Sequence, residues 1–200
     1  MPTVKKTLFL SPPTYDGYDG GAGSRYQCKR EVKSFWYPTW LAQLAALVPG
    51  SRLIDAPARG LQIDDILPLA GEYEFLVLYT STPSFLNDVK VAEAFKAKNP
   101  DLLIGFCGAH VAINNEASIV TSPAIDFVCD SEFDFTIQEI AEGKPLEDVV
   151  GITILKDGAP HFTGSRPLIE DMNTLPWVTP VYKENLVTSD YYNGYMLHPY

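Results

Sequence analysis

The residues that could do chemistry fall in five short polar runs, each behind a stretch of apolar residues. Ser11-Pro12-Pro13-Thr14 stands behind Thr7–Leu10, with Gly17, Gly20, Gly21 and Gly23 soon after. Asp55-Ala56-Pro57 closes Arg52–Asp55, and Thr80-Ser81-Thr82-Pro83 follows Phe75–Tyr79. Gly108-Ala109-His110-Val111 stands behind Leu102–Phe106, and Asp130-Ser131-Glu132 follows Ile125–Cys129. Together they offer small hydroxyls, glycines, prolines and one imidazole. Glycine lets the backbone come close to a ligand, and the hydroxyls and imidazole supply a few hydrogen bonds. Such a set suits the holding of a large ligand. It suggests no nucleophile–base pair, and no residue is assigned a catalytic or metal-ligating role.

The elements that must position these runs are strands and helices in alternation. Phe75-Leu-Val-Leu-Tyr79 is apolar throughout, as a parallel strand covered on both faces must be. Helical spacing is seen at Trp36, Trp40, Leu41, Leu44, Ala45 and Val48, with Pro38 placed in the first turn and Pro49-Gly50 as the stop. A weak helix is predicted over 63–70, with Asp64 and Asp65 at its positive end and Pro68 limiting its length. Further helices are predicted over 87–98 and 133–142. Five such units predict an α/β fold: a Rossmann-like, flavodoxin-like three-layer sandwich with a five-stranded parallel sheet in the order 2-1-3-4-5. In an open sheet of this kind ligands bind beyond the carboxyl ends of the strands, where all five polar runs fall. After residue 150 the pattern changes to a β-hairpin, Gly151–Leu155 and His161–Thr163 around Asp157-Gly158. From Pro167 onward it becomes an irregular, proline-rich linker. The expected division is an α/β domain over 1–147 and a hairpin with linker over 148–200.

Several common uses of such a sheet are excluded by spacing. No Gly-x-x-x-x-Gly-Lys-Ser/Thr run exists for a nucleotide phosphate, and the glycines behind the first strand do not follow Gly-x-Gly-x-x-Gly. A receiver domain would need acids behind the first strand, where Pro12-Pro13 stands. A Gly-x-Ser-x-Gly elbow is absent. The formal net charge of -10 argues against a nucleic-acid surface and against a polybasic contact with anionic lipid. No stretch nears the roughly 20 apolar residues of a membrane span, so a cytoplasmic protein is expected. Cys28, Cys107 and Cys129 are read as three reduced thiols, two of them at strand ends.

Taken together, Pro12-Pro13, Asp55-Ala-Pro57, Thr80-Ser-Thr-Pro83, Gly108-Ala-His110, and Asp126-Phe-Val followed by Glu132 resemble the cobalamin-binding domain of B12-dependent radical S-adenosylmethionine enzymes. Arg166-Pro-Leu-Ile-Glu-Asp-Met-Asn-Thr-Leu-Pro176 resembles that family's linker to its catalytic barrel. Asp19–Tyr26 and Ser34–Ala42 are similar to the hopanoid-biosynthesis member, which forms the cyclitol ether head group of bacteriohopanetetrol.

The resemblance implies a cobalamin held near Ser11, Pro12, Pro13, Gly20, Gly21, Gly23, Asp55, Thr80, Ser81, Thr82, Gly108, His110, Val111 and Glu132. It implies a base-off cobalamin with no histidine ligand, since Ser11-Pro-Pro-Thr-Tyr-Asp16 lacks the Asp-x-His-x-x-Gly of other B12 domains. In the full-length protein it implies a [4Fe–4S] cluster, S-adenosylmethionine, a radical barrel as partner and a hopanoid substrate, with peripheral membrane attachment left open. The Cys-x-x-x-Cys-x-x-Cys cluster motif is missing, so the chain is expected to be a fragment without catalysis of its own. Residue by residue, alternatives stay open. His110 is a ligand contact or a loop cap; Thr80 to Thr82 bind the nucleotide tail or form a polar turn; Asp55 is a turn aspartate or a ligand group. Glycines 17 to 23 allow close approach of the corrin or form a flexible loop; Trp36, Tyr37 and Trp40 are core or interface aromatics or a corrin platform; and Tyr191–Tyr195 are read as packing on the missing barrel. The competing reading is a flavodoxin-like module that binds another ligand or partner and no corrinoid.

Overall fold

The computed structural model describes residues 4–17 and 36–191. Five strands, β1 (Thr7–Ser11), β2 (Arg52–Asp55), β3 (Phe75–Tyr79), β4 (Leu103–Cys107) and β5 (Phe127–Cys129), run parallel in the order β2-β1-β3-β4-β5. This is the predicted flavodoxin-like order. The hairpin β6 (Ile152–Lys156) and β7 (Ala159–Phe162) does not stand apart. β6 pairs antiparallel with β5, and the sheet grows to seven strands.

Because side chains alternate along a strand, each strand feeds two cores. Leu8, Leu10, Ile54, Leu76, Leu78, Ile104, Phe106 and Val128 point to one face. They are covered by α2 (Ala56–Arg59), α3 (Ile63–Ile66), α4 (Phe85–Lys98), α5 (Ala109–Ile113) and α6 (Asn115–Ile119). Phe9, Leu53, Phe75, Val77, Cys107, Phe127 and Cys129 point to the other face. There they meet α1 (Thr39–Leu47), α7 (Asp134–Ala141) and α8 (Thr179–Asn185). Ile152 and Ile154 of β6 extend this second core. Burying each large apolar side chain is worth about 1.5–3 kcal/mol, so the two layers hold the sheet from both sides.

Local chemistry sets the ends of the elements. The segment over 63–70 splits into α3 and a 3₁₀ turn at Leu67–Gly71, with Pro68 inside the turn. Asp65 accepts the Gln62 N–H at 2.8 Å in a capping box. Pro38 is the N-cap of α1, one place before the first turn predicted for it.

The segment beyond Pro167 departs further from expectation, because it contains α8. Pro180 reads as a breaker but falls in the first turn of that helix, where the missing N–H costs nothing. Asn185 Oδ1 accepts the N–H of Leu53 at 2.9 Å, so α8 covers the open edge of β2. At the opposite edge β7 is short, exposed and carries Pro160, features that discourage further strand pairing. The linker is also pinned at Arg166, whose Nε donates to Thr136 Oγ1 at 2.8 Å and whose guanidinium pairs with Glu139 at 2.8 Å.

Tyr191 corrects the expectation for the aromatic tail. Its ring lies 4.4 Å from that of Tyr37, which stacks on Tyr182 at 4.6 Å. It packs within this fold. Tyr192 to Tyr195 lie outside the described residues. Tyr37 packs against the second core, while Trp36 and Trp40 are 70% and 62% exposed.

Candidate functional site

The register aligns the strand ends into one rim. Ser11 lies beside Asp55, and Tyr79 beside Cys107. β1 and β3 are neighbours, yet β1 leads on to α1 on one face and β3 to α4 on the other. This divergence makes the switch point at which open α/β sheets hold their ligands.

A buried polar network builds the centre of the rim. Thr80 Oγ1 donates to Asp88 Oδ2 at 2.7 Å, and Ser84 Oγ donates to the same oxygen at 3.0 Å. Ser81 and Ser84 hydroxyls meet at 3.0 Å. Asn87 Nδ2 donates to the Pro13 carbonyl at 3.1 Å and to Asp88 Oδ1 at 3.2 Å, while Asn87 Oδ1 accepts the Tyr15 N–H at 2.7 Å. Thr80, Ser84, Asn87 and Asp88 are all buried. A buried network with its groups bonded rigidifies what it joins, here the loops after β1 and β3 and the start of α4.

Gly108 joins the third loop to these. Its φ is +114°, and a Cβ there would stand 2.3 Å from the Thr80 carbonyl oxygen. The Thr80 N–H donates to the Cys107 carbonyl at 2.8 Å, so the β3 and β4 loops touch backbone to backbone. His110 follows on α5. Its ring lies 4.3 Å from Phe85, and its Nδ1 is 3.3 Å from Thr82 Oγ1. Burial holds its pKa below the ordinary histidine value, so at neutral pH it is a neutral imidazole that can both donate and accept.

The sequence-predicted residues therefore divide. Ser11, Pro12, Pro13, Thr80, Ser81, Thr82, Gly108 and His110 share the central rim formed by the β1, β3 and β4 loops. Val111 is fully buried in the first core and offers a ligand only its backbone. Asp55 ends β2, buried, and accepts the Tyr191 hydroxyl at 2.8 Å. Glu132 lies at the far end, behind β5, where its carbonyl accepts from Thr136 Oγ1. Gly20, Gly21 and Gly23 lie outside the described residues, as does Cys28. Cys107 and Cys129 are buried thiols, and Cys107 Sγ lies 3.7 Å from the Leu78 carbonyl oxygen. Burial, with Asp130 and Asp134 adding, pushes the Cys129 thiol far up, which makes it unreactive. Among the described residues no group of three or more His, Cys, Asp or Glu could hold a metal ion.

Sequence reasoning passed over Ser84, Asn87 and Asp88. The available signal was their spacing: positions i, i+3 and i+4 put three polar side chains on one helix face, and that face is the buried one.

The Tyr191–Asp55 contact carries a pH prediction. Burial first, then the charge and hydrogen bond of Asp55, raise the Tyr191 pKa well above the ordinary phenol value of about 10. A group whose folded pKa is raised contributes stability in full below its unfolded pKa and loses it as pH rises above that value. The protein is therefore expected to lose stability above about pH 10, and Tyr191→Phe to flatten part of that fall. Urea midpoints measured from pH 8 to 11 check this; parallel curves for the two proteins would contradict it.

No family model matches the chain. An uncharacterized methyltransferase of Pyrococcus horikoshii is 28% identical over 182 residues, which cover 86% of this chain and 38% of that protein. Among solved structures, the radical S-adenosylmethionine methyltransferase TsrM from Kitasatospora setae, solved with cobalamin and a [4Fe-4S] cluster bound, superposes with a TM-score of 0.58. This chain has the same fold. The match is 11% identical in sequence and covers 85% of this chain and 30% of TsrM. The apo cobalamin-dependent S-adenosylmethionine radical enzyme OxsB gives a TM-score of 0.48 at 16% identity, covering 64% of this chain and 19% of that one. The chain thus spans about a third of the length of the first two of these proteins.

Proposed function

We propose that this chain is the cobalamin-binding domain of a radical S-adenosylmethionine enzyme, with the cofactor held over the crevice between the β1 and β3 loops. The observation that carries the reading is the rim itself. At the switch point of a fold shared with TsrM, three loops are locked together by a buried network and by glycine backbone contact. The residues fit a corrinoid. Cobalamin is a large ligand with apolar faces and a fringe of amides. The exposed apolar surface of the central rim is Pro83 of the β3 loop, Pro12 and Pro13 themselves being buried beneath it. The Ser81 and Thr82 hydroxyls and the neutral His110 imidazole can meet amides.

When bound, cobalamin supplies a cobalt centre able to carry an alkyl group. The protein's own part is to orient the ligand and to hold it by hydrogen bonds. His110 is read as a contact for a ligand amide; its Nδ1 already faces Thr82. The segment over 148–200 is read as leading to a radical barrel that carries the [4Fe–4S] cluster and binds S-adenosylmethionine, in a cytoplasmic or membrane-peripheral protein. No helix among the described residues is long and apolar enough to cross a membrane. We further propose a hopanoid head group as substrate, converted to a cyclitol ether. Its support is the sequence similarity of Asp19–Tyr26 and Ser34–Ala42 alone; the first run, with Ser34 and Phe35 of the second, lies outside the described residues.

The test is a titration of the purified chain with hydroxocobalamin, read by visible absorption and calorimetry. Saturation near one equivalent with a base-off spectrum is the expected result. No uptake at high micromolar ligand, by this chain and by a longer form continuing past Tyr200, would sink the corrinoid reading in favour of a different ligand or partner.

A further inference from the structure

The loop after β1 is not where its connectivity alone would put it. The chain resumes at α1, on the face of Phe9 and Phe75. Yet Pro13 and Tyr15 lean the other way, onto α4, and the Tyr15 ring packs against the first core. One side chain accounts for the backbone part of this. The Asn87 carboxamide receives the Tyr15 N–H at 2.7 Å and gives an N–H to the Pro13 carbonyl at 3.1 Å, across more than 70 residues of sequence. A further contact of the amide nitrogen, to Asp88 Oδ1 at 3.2 Å, fixes which end of the amide faces which partner. Asp88 is oriented in turn by Thr80 and Ser84, so the carboxamide cannot turn over without breaking that order. Asn87 therefore ties the loop of one strand to the helix that follows its neighbour, directly beside the crevice. The nearby Lys90–Asp16 pair, at 3.2 Å, is exposed on both sides and adds little.

We propose that Asn87 is a positioning residue: it sets the placement of the Pro13–Tyr15 loop against α4, and so the width of the crevice and the affinity for the ligand held there. The affinity part rests on the corrinoid reading above; the loop part does not. Asn87 itself is 5% exposed, so it acts through the loop and not by broad contact with a ligand.

The test compares wild type, Asn87→Ala and a control, Ile140→Val, which trims the second core on the opposite face of the sheet. Two quantities are read: residue-resolved amide exchange at Tyr15, and the hydroxocobalamin Kd. In Asn87→Ala, exchange at Tyr15 is expected to quicken about tenfold or more, and the Kd to rise about tenfold, the size of one lost buried hydrogen-bonded anchor. Amides of β3 and β4 should keep their protection. Ile140→Val should move neither quantity, even though it lowers the melting temperature. Unchanged Tyr15 exchange in Asn87→Ala, or an unchanged Kd, overturns the proposal; so does an equal loss of affinity in the control. If wild type takes up no cobalamin while Tyr15 exchange responds as stated, the ligand assignment falls and the positioning of the loop by Asn87 stands.

Discussion

Gly108→Ala is expected to lower the melting temperature by about 6 °C or more, the equivalent of about 3 kcal/mol in a domain of this size. It should also weaken hydroxocobalamin binding at least about tenfold. Two independent costs add. The backbone at Gly108 has φ +114° and ψ 173°, a region that only glycine occupies readily. The new Cβ would also stand 2.3 Å from the Thr80 carbonyl oxygen and 3.2 Å from the Thr80 nitrogen. Both are backbone atoms of the neighbouring loop, so no side chain can swing away to make room. Relief requires the β3 and β4 loops to part, and that movement opens the rim where Ser81, Thr82 and His110 meet. A change at exposed Ala159 on β7, at the far edge of the sheet, such as Ala159→Ser, should leave both quantities near wild type. Wild-type stability and affinity in Gly108→Ala would show that the loops are not closed on each other in this way.

Gly105→Ala is expected to be damaging for a different reason and to leave the rim chemistry alone. Gly105 pairs with Phe127 across β4 and β5, and a Cβ at that position would stand 2.0 Å from the tip of the Phe127 ring. The ring is fully buried and also packs on Phe75, with centroids 5.9 Å apart. Interiors are packed to crystal density, so the displaced ring has no free space. The expected cost is about 2–3 kcal/mol or more, seen as a lower urea midpoint. Trimming the ring supplies the check. Phe127→Leu destabilises alone, but in combination with Gly105→Ala the loss should be clearly smaller than the sum, because the two residues are in contact. Strict additivity would mean that the ring does not occupy the space above Gly105.

The two glycines show what was legible in the sequence and what was not. The polar runs behind the strands, the alternation of strand and helix, and the doubly wound order could all be read from apolar runs and their stops, because burial on two faces dictates composition directly. The rim position of Ser11, Thr80, Gly108 and His110 followed from the same pattern. The network under the rim did not. Asp88 looks like an ordinary acid in the first turn of a helix, and only the fold shows that its oxygens accept from Thr80, Ser84 and Asn87. Nor did α8 stand out, since Pro176 and Pro180 mask a helix whose apolar residues make sense only against α1 and β2. The hairpin was legible as a hairpin, but its pairing with β5 is a tertiary choice that local sequence does not encode. Tyr191 is a further case. A phenol in an aromatic tail carries no sign that its partner is a carboxylate 136 residues earlier.

A cobalamin seated as proposed over the crevice between the β1 and β3 loops must shield those loops from solvent. The most direct measurement is residue-resolved hydrogen exchange of the chain with and without saturating hydroxocobalamin. Protection on binding is expected to concentrate in Ser11, Thr14 and Tyr15, in residues 80–82 and in residues 108–111, with no comparable change in β7 or in the exposed turn at Asp157-Gly158. Protection confined to the opposite end of the sheet, or spread evenly over the chain, would contradict it.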